Sequence, residues 1–331
     1  MNSTMKRMAL GFLVVLEICT IIILCVLVIR QLQKQAKAVK YAVRLPADTY
    51  FSQVKSDRFP NFYEPIAGKI INDHPDWLGY NVSYSINADA LNERIDYPVI
   101  KPANTFRIMS LGDSFTYGLF VNTYENYTER LEDYLGSRCS ERFEVINLGV
   151  PAYDVGYSAE RFRLRGQKYM PDLVIWFMNP FTFLIDADRK MELENEYLNK
   201  IPTKDHWQVI NGRQEYYPGM LAWKQQASEV PSQMRVVQQG TYFREFLASY
   251  HGALVVIAHD WSGWQASAKQ TLQEALLYRE NALVYEMDFL QPGNELLIDG
   301  HPNVKGHERI ATNILSYLTN QGILLCRQHA P

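Results

Sequence analysis

Five short apolar runs, each rich in β-branched or aromatic residues, constrain the fold of this chain more than any other feature. They alternate with segments whose apolar residues recur at helical spacing, and this alternation is typical of a parallel sheet covered by helices on both faces. The sequence therefore predicts an α/β fold: a three-layer α/β/α sandwich with a mainly parallel five-stranded sheet. The runs lie at 107–111, 143–148, 172–178, 253–258 and 282–287, and the helical segments lie at 124–135, 158–168, 267–279 and 303–319.

Polar residues stand at the ends of the predicted strands or just before a predicted helix in four places. Because the carboxyl ends of parallel strands meet at one edge of a sheet, we expect these residues to gather there. Serine, histidine and aspartate at such an edge can act as nucleophile, general base and orienting carboxylate. Backbone N–H groups of the turns and an asparagine amide can form an oxyanion hole. The four groups are Gly112-Asp113-Ser114, residues 147–154, Asn179 and residues 299–303.

The four groups resemble, in order and approximate spacing, the sequence blocks of the SGNH (GDSL-type) hydrolase superfamily. The matching residues are Gly-Asp-Ser at 112–114, Asn-x-Gly-x-Pro-Ala at 147–152, Asn179, and Asp-x-His-Pro-Asn at 299–303. The resemblance covers about residues 107 to 318 and implies an SGNH/flavodoxin-like sheet. It differs from the α/β-hydrolase elbow Gly-x-Ser-x-Gly, because Thr116 occupies the position of the second glycine.

The resemblance implies a role for each matched residue. Ser114 is implied as the nucleophile, His301 as the base that deprotonates it, and Asp299 as the group that orients the imidazole. The implied oxyanion donors are the backbone N–H of Ser114, a backbone N–H of the second block and the Asn179 side chain. The second-block donor is expected to be Ala152, with Gly149 as the alternative.

The chain departs from the family pattern at three positions. Ala152 stands where the second block usually has glycine, and alanine has less backbone freedom. The third block, Phe177-Met178-Asn179-Pro180, keeps the asparagine of Gly-x-Asn-Asp but lacks its glycine and acid. Only one residue separates Asp299 from His301, where the family more often has two, so the geometry of this pair needs a structural test.

Other polar residues near the predicted site are assigned weaker roles. Asp113 is expected mainly to shape the turn and, with His259 at the end of a predicted strand, to line the substrate; a structural role for His259 is the alternative. His307 opens the last helix and is expected to contact backbone or to cap. The sequence has no CxxC motif or Cys/His cluster, so no metal or cofactor is expected.

The N-terminal segment predicts a membrane anchor. Residues 8–29 are almost continuously apolar and long enough to cross a bilayer as a helix. No small-x-small cleavage site ends the run, which favours an uncleaved anchor over a signal peptide. Glu17, near its middle, indicates either a contact with another membrane protein or a tolerated acid. The predicted division is an anchor at 1–30, a stalk and irregular lead-in at 31–104, a hydrolase domain at 105–322 with an insertion at about 181–250, and a tail at 323–331.

Charge bears on the location of the body and on its partners. A net charge of −3 and a pI near 6.2 exclude the basic excess expected of a nucleic-acid-binding surface. Two Lys/Arg residues precede the apolar segment and five follow it, so the positive-inside rule places the body in the cytoplasm. The resemblance to anchored envelope members of the family implies the opposite, an extracytoplasmic body on a single-pass anchor. Whether Cys139 and Cys326 pair stays open.

Three functions follow from these patterns. The first is a membrane-anchored serine esterase or O-acyl (acetyl) transferase that acts on ester groups of cell-envelope glycans. The second is a degenerate hydrolase body that binds glycans or serves as an assembly subunit, suggested by the altered second and third blocks and by Glu17. The third is a lipase-like esterase that acts on membrane lipids.

Overall fold

The structure, a computed structural model, describes residues 50–75, 77–199 and 232–324. The predicted anchor at 1–30, with Glu17, and the stalk that follows lie outside these ranges, as do residues 325–331 of the tail. None of the helices in the described ranges combines the length and the apolar character that crossing a bilayer requires. The sequence-based expectations about the membrane therefore stay predictions.

The lead-in to the sheet contains four short strands where the sequence predicts irregular chain. β1 (Phe51–Gln53) pairs antiparallel with β2 (Tyr63–Pro65), and β3 (Ile70–Asp73) pairs antiparallel with β4 (Val82–Ser85). Strands of three or four residues are too short to show a period-2 pattern, and the neighbouring prolines indicate a loop, so the sequence does not reveal these strands.

The lead-in packs its aromatic side chains onto the body of the protein. Phe62 and Tyr63 meet the ring of Tyr153, with ring centroids 5.6 and 5.4 Å apart, and Tyr84 meets Tyr117 at 5.2 Å. These contacts are fully buried, which explains why a segment with so many aromatic residues is not a solvated linker.

A five-stranded, wholly parallel sheet forms the centre of the fold, as the sequence predicts. The strands are β5 (Thr105–Leu111), β6 (Arg142–Asn147), β7 (Leu173–Met178), β8 (Ala253–His259) and β9 (Ala282–Met287). They pair in the order β6-β5-β7-β8-β9, which is the flavodoxin-like order. The direction of winding reverses between β5 and β7, and α/β sheets of this type bind ligands outside the carboxyl ends of the strands at that point.

Helices cover both faces of the sheet and complete the three layers. The α-helices of the described ranges are α1 (Ser114–Tyr117), α2 (Tyr127–Arg138), α3 (Val155–Arg161), α4 (Ala187–Leu198), α5 (Ser232–Ser249), α6 (Ala266–Leu276) and α7 (Val304–Asn320). One face of the sheet packs against α2 and α7, and the other packs against α3, α5 and α6. The inner side of α7 shows the reason, because Ile310, Ile314 and Leu318 recur at helical spacing and are fully buried.

The predicted insertion at 181–250 is too long at its carboxyl end. Helix α5 is the crossover between β7 and β8, and its residues Phe243 and Phe246 pack on Trp176 of β7. The interruption of the α/β pattern therefore ends before residue 232. The helix is rich in glutamine, so its apolar side is not evident from the sequence. Val236, Phe243 and Leu247 on that side are buried. Residues 200–231 lie outside the described part of the chain.

The buried carboxyl group of Asp154 joins three helices. It accepts hydrogen bonds from the backbone N–H of Tyr157 at the start of α3 and from that of Ala187 at the start of α4, both at 2.8 Å. It also accepts one from the side-chain amide of Gln239 in α5, at 3.0 Å. Burial raises the pKa of Asp154 to about 7 in spite of these donors, and the nearby Asp186 adds to the rise.

This raised pKa predicts a pH-dependent contribution to stability. The folded state binds the Asp154 proton more tightly than the unfolded state, so this contribution is full below pH 4, falls as the pH rises towards 7, and is lost above it. Asp154→Asn carries no such proton. Between pH 5 and 7 the free energy of unfolding of the wild type should therefore fall by about 2 kcal/mol relative to that of the variant. Urea unfolding of the full chain measures the free energy of unfolding at each pH, and Asp57→Asn, which changes an exposed carboxylate, is the control. Parallel plots of this free energy against pH for the wild type and Asp154→Asn would contradict the prediction.

Candidate active site

A tight turn presents the Ser114 hydroxyl at the carboxyl edge of the sheet. Strand β5 ends at Leu111, and α1 begins at Ser114, with Asp113 as N-cap accepting from the Phe115 N–H at 2.9 Å. A side chain at Gly112 would lie 2.2 Å from the Thr116 hydroxyl oxygen, so a turn this close requires glycine. Ser114 is 9% exposed. The sequence prediction of its position is confirmed.

The structure brings Ser114, His301 and Asp299 together. His301 Nε2 lies 2.9 Å from Ser114 Oγ, and His301 Nδ1 lies 2.7 Å from Asp299 Oδ2. These two contacts, made by residues far apart along the chain, have the arrangement of a nucleophile, a base and an orienting carboxylate. The catalytic roles of the three residues stay a prediction.

The short spacing between Asp299 and His301 is compatible with this contact. Gly300 between them adopts a φ of +91°, in the left-handed region that favours glycine, and the loop closes through a 2.8 Å bond from the Leu297 N–H to the His301 carbonyl. The second carboxylate oxygen of Asp299 accepts from the His301 backbone N–H at 3.1 Å. Burial opposes the charge on Asp299, but the bonds from His301 and its charge hold the pKa of Asp299 below its ordinary value.

Two backbone N–H groups remain available as oxyanion donors. The structure shows no acceptor for the N–H of Ser114 or for that of Ala152 among the residues it describes. The Gly149 N–H, by contrast, donates to Asn147 Oδ1 at 2.8 Å, so the alternative donor named from the sequence is wrong. A side chain at Gly149 would lie 2.3 Å from the Tyr117 nitrogen, and this close approach to α1 explains the glycine.

Ala152 adopts a backbone conformation that favours glycine. Its φ is +64°, in the left-handed region, which costs a residue other than glycine roughly 1–2 kcal/mol. A strained residue persists only where the surrounding structure holds it. The neighbouring turn does so, because the Val150 N–H donates to the Gly112 carbonyl and the Tyr63 hydroxyl donates to the Pro151 carbonyl.

Asn179 is held in place by Asp113. The Asn179 side-chain NH₂ donates to Asp113 Oδ2, and the Asn179 carbonyl oxygen accepts from the Phe181 N–H at 2.9 Å. An amide carries two N–H donors, so one remains for a substrate oxygen. Burial raises the pKa of Asp113, whose carboxyl group caps α1 and orients Asn179. The structure supports a positioning role for Asp113 in place of the predicted contact with substrate.

Neither His259 nor His307 makes a hydrogen bond to Ser114, His301 or Asp299. His259 is 2% exposed and packs against Phe115 and Phe177, and its Nε2 accepts from the Leu290 N–H at 3.3 Å. Burial lowers its pKa to about 4, so it is a neutral core residue and the prediction that it lines the substrate is wrong. His307 is buried and accepts from the Tyr127 backbone N–H at 3.3 Å, which confirms the expected backbone contact.

Several residues that support the site have no signature in the sequence. The Tyr127 hydroxyl lies 2.7 Å from the Ser110 hydroxyl and 2.9 Å from that of Thr116, and Asn147 Nδ2 donates to the Thr116 carbonyl at 2.8 Å. These bonds fix α1 from behind. At helical spacing Tyr127 looks like an ordinary core residue, so only the Asn147 of the second block could have been found beforehand. The described ranges hold no group of three His, Cys, Asp or Glu side chains placed to bind a metal ion.

Comparison with protein-family models gives no match, and comparison with curated proteins gives none. Similar solved structures include a two-domain esterase active on acetylated mannans (14% identity, TM-score 0.38, 69% of this chain and 52% of that one). Others are a family two carbohydrate esterase from Clostridium thermocellum (12%, 0.39, 69% and 66%) and the psychrotrophic esterase EstA from Pseudoalteromonas sp. (14%, 0.39, 67% and 100%). The chain thus spans about half the length of the first of these. Because their TM-scores are below 0.5, these structures assign no function to this chain. Its function has to be inferred from the geometry of its own site.

Proposed function

We propose that this chain is a serine esterase that uses Ser114 as nucleophile. The observation that carries the proposal is the pair of contacts at His301, 2.9 Å to the Ser114 hydroxyl and 2.7 Å to the Asp299 carboxylate. Both lie within the range needed for proton transfer and for orienting the imidazole. The non-enzymatic alternative rests on Glu17 and on the altered second and third blocks. The blocks do not favour it over an enzyme, because Ala152 and Asn179 keep positions suited to catalysis.

The first half of the reaction transfers the acyl group to the enzyme. Ser114 Oγ attacks the carbonyl carbon of the ester while its proton passes to His301 Nε2. The oxyanion that forms is stabilised by the N–H groups of Ser114 and Ala152 and by the free N–H of Asn179. As the intermediate collapses, His301 gives the proton to the departing alkoxide, and the alcohol leaves. Asp299 stabilises the imidazolium and keeps Nδ1 protonated throughout.

The second half returns the enzyme to its starting state. A water molecule gives its proton to His301 Nε2 and attacks the acyl carbon, and Ser114 leaves with the proton that His301 returns to it. The product is a carboxylic acid. If a sugar hydroxyl takes the place of water, the same steps transfer the acyl group, and the enzyme is an O-acyltransferase.

The substrate and location form the finer part of the proposal. We place the body outside the cytoplasm on a single-pass anchor, where it acts on O-acetyl groups of envelope glycans. Cys139 is disulfide-bonded, and disulfides persist in oxidising compartments. The other three cysteines lie outside the described ranges. The Lys/Arg count predicts the opposite orientation, and a C-terminal reporter active on only one side of the membrane decides between them.

Labelling with a fluorophosphonate tests the mechanism directly. We expect the full chain to react with one equivalent, because the probe is attacked by an activated serine, and we expect peptide mass spectrometry to locate the phosphonate on Ser114. Ser114→Ala should not be labelled, whereas Ser137→Ala, an exposed serine of α2, should react like the wild type. Labelling that persists in Ser114→Ala would exclude this nucleophile.

A further inference from the structure

Three aromatic residues connect the lead-in to the imidazole of His301. The Trp77 indole meets the Phe120 ring edge to face, with centroids 4.9 Å apart, and Phe120 meets the His301 ring in the same way at 5.3 Å. The Tyr80 hydroxyl donates to the Phe120 carbonyl at 3.2 Å. We call Trp77, Tyr80 and Phe120 the aromatic wall. Two of its three members come from the lead-in, so this segment forms part of the site.

The aromatic wall is held in a strained conformation. Phe120 has a φ of +71°, which is a rare conformation for a bulky residue. Both of its backbone polar groups are bound by tyrosine hydroxyls of the lead-in, since its N–H donates to the Tyr84 oxygen at 2.8 Å and its carbonyl accepts from Tyr80. Strain that neighbouring residues hold in place beside a reactive group points to a function for the strained residue.

The outer members of the wall face solvent. Trp77 is 40% exposed and Tyr80 is 41% exposed. Five aromatic side chains of the described part of the lead-in are buried, namely Phe59, Phe62, Tyr63, Tyr84 and Tyr97. Large half-exposed rings with polar tips suit a ligand that is partly apolar and partly hydrated. The exposed rings therefore lie where the lead-in packs against Phe120, whose own ring contacts His301.

The proposed chemistry decides which half of the ester meets the wall. His301 must protonate the departing alkoxide, so the alcohol half lies on the His301 side of Ser114. The Phe120 ring packs against that same imidazole. The alcohol half of a bound ester therefore lies next to the aromatic wall.

We propose that the aromatic wall is a subsite for a pyranose ring that carries the ester. This inference rests on the proposed esterase function and narrows its substrate class. A pyranose has an apolar C–H face that can stack on the indole of Trp77 and hydroxyl edges that need hydrogen bonds. The Tyr80 hydroxyl is part-exposed and can also bind a sugar hydroxyl. Burial raises its pKa, and the charges of Glu125 and Asp299 add to the rise, so Tyr80 stays a neutral hydroxyl. A polar group beside the indole suits a hydroxylated ring better than an alkyl chain.

Three acetate esters of primary alcohols test the subsite. Methyl 6-O-acetylglucopyranoside has a pyranose in its alcohol half, ethyl acetate has no ring, and octyl acetate has an alkyl chain. We expect Trp77→Ala to lower kcat/KM for the sugar ester about 10- to 100-fold, mainly through KM, relative to its effect on ethyl acetate. Trp77→Phe should recover most of the loss because it keeps a ring. Tyr278→Ala, an exposed tyrosine between α6 and β9 at the opposite edge of the sheet, is the control.

The outcomes separate the subsite from the esterase function. An equal loss on all three esters would mean that the wall only supports His301, and it would overturn the subsite. If Trp77→Ala lowers kcat/KM for octyl acetate as much as for the sugar ester, the wall binds apolar alcohols in general. That result would overturn the pyranose subsite. If the wild type turns over no ester, the esterase function fails, and the subsite is decided by saturation-transfer NMR with methyl glucopyranoside. A saturation-transfer signal from methyl glucopyranoside with the wild type but not with Trp77→Ala supports the subsite. Equal signals from the two proteins, or no signal with the wild type, refute it.

Discussion

Replacing Ser114 or His301 by alanine should lower kcat for ester hydrolysis by about 10⁴- to 10⁶-fold, and the double variant should be no slower than either single one. The reason is that the two groups act as one unit across a 2.9 Å contact. Without the imidazole the hydroxyl keeps its proton, and without the hydroxyl the imidazole has no nucleophile to activate. The residual rate should come from the oxyanion donors and from substrate binding.

Steady-state and single-turnover kinetics with ethyl acetate measure these rates, and circular dichroism of the full chain confirms that the variants remain folded. Ser137→Ala, which changes an exposed serine of α2, should retain the wild-type rate. Two single losses that multiply in the double variant would show that the residues act independently. A loss below tenfold at either position would contradict the proposed mechanism.

The sheet and the reactive residues could be predicted because their signals are local. Each buried strand is a continuous apolar run, as at Leu173–Met178, since both of its faces are covered by helices. Asn179 follows such a run directly and Ser114 comes three residues after another, and parallel pairing then brings them to one edge. His301 has a different local signal: its block precedes a helix with a clear apolar face.

The supporting residues could not be predicted, because their roles depend on contacts between distant segments. Nothing in the sequence around Phe120 indicates a left-handed backbone, which arises only when Tyr80 and Tyr84 of the lead-in bind it. Gly149 looked like a donor, whereas its close approach to α1 requires glycine for steric reasons. His259 ends a strand at the correct edge, but it is buried and packs against Phe115 and Phe177.

Asp299→Asn should lower kcat by about 10⁴-fold near neutral pH with little change in KM. The carboxylate accepts a hydrogen bond from Nδ1 of His301 at 2.7 Å, and this bond keeps the proton on Nδ1, so that Nε2 is free to accept the proton of Ser114. An asparagine amide turned towards Nδ1 donates a hydrogen bond and favours the opposite tautomer. The imidazole then carries its proton on Nε2 and cannot act as the base.

The loss of kcat in Asp299→Asn should arise from the changed tautomer of His301 and not from a displacement of the loop at 299–301. Asparagine keeps an oxygen that can still accept from the His301 backbone N–H, and Gly300 remains free to adopt its left-handed φ, so we expect the loop to hold its shape. Nitrogen-15 chemical shifts of the imidazole distinguish the tautomers, and Asp57→Asn controls for the loss of an exposed carboxylate. A rate within tenfold of the wild type, or an unchanged tautomer, would show that Asp299 does not orient the base. In that case the Ser114–His301 contact alone would have to account for the activity, since the structure pairs the His301 Nδ1 with Asp299 and with no other acceptor among the residues it describes.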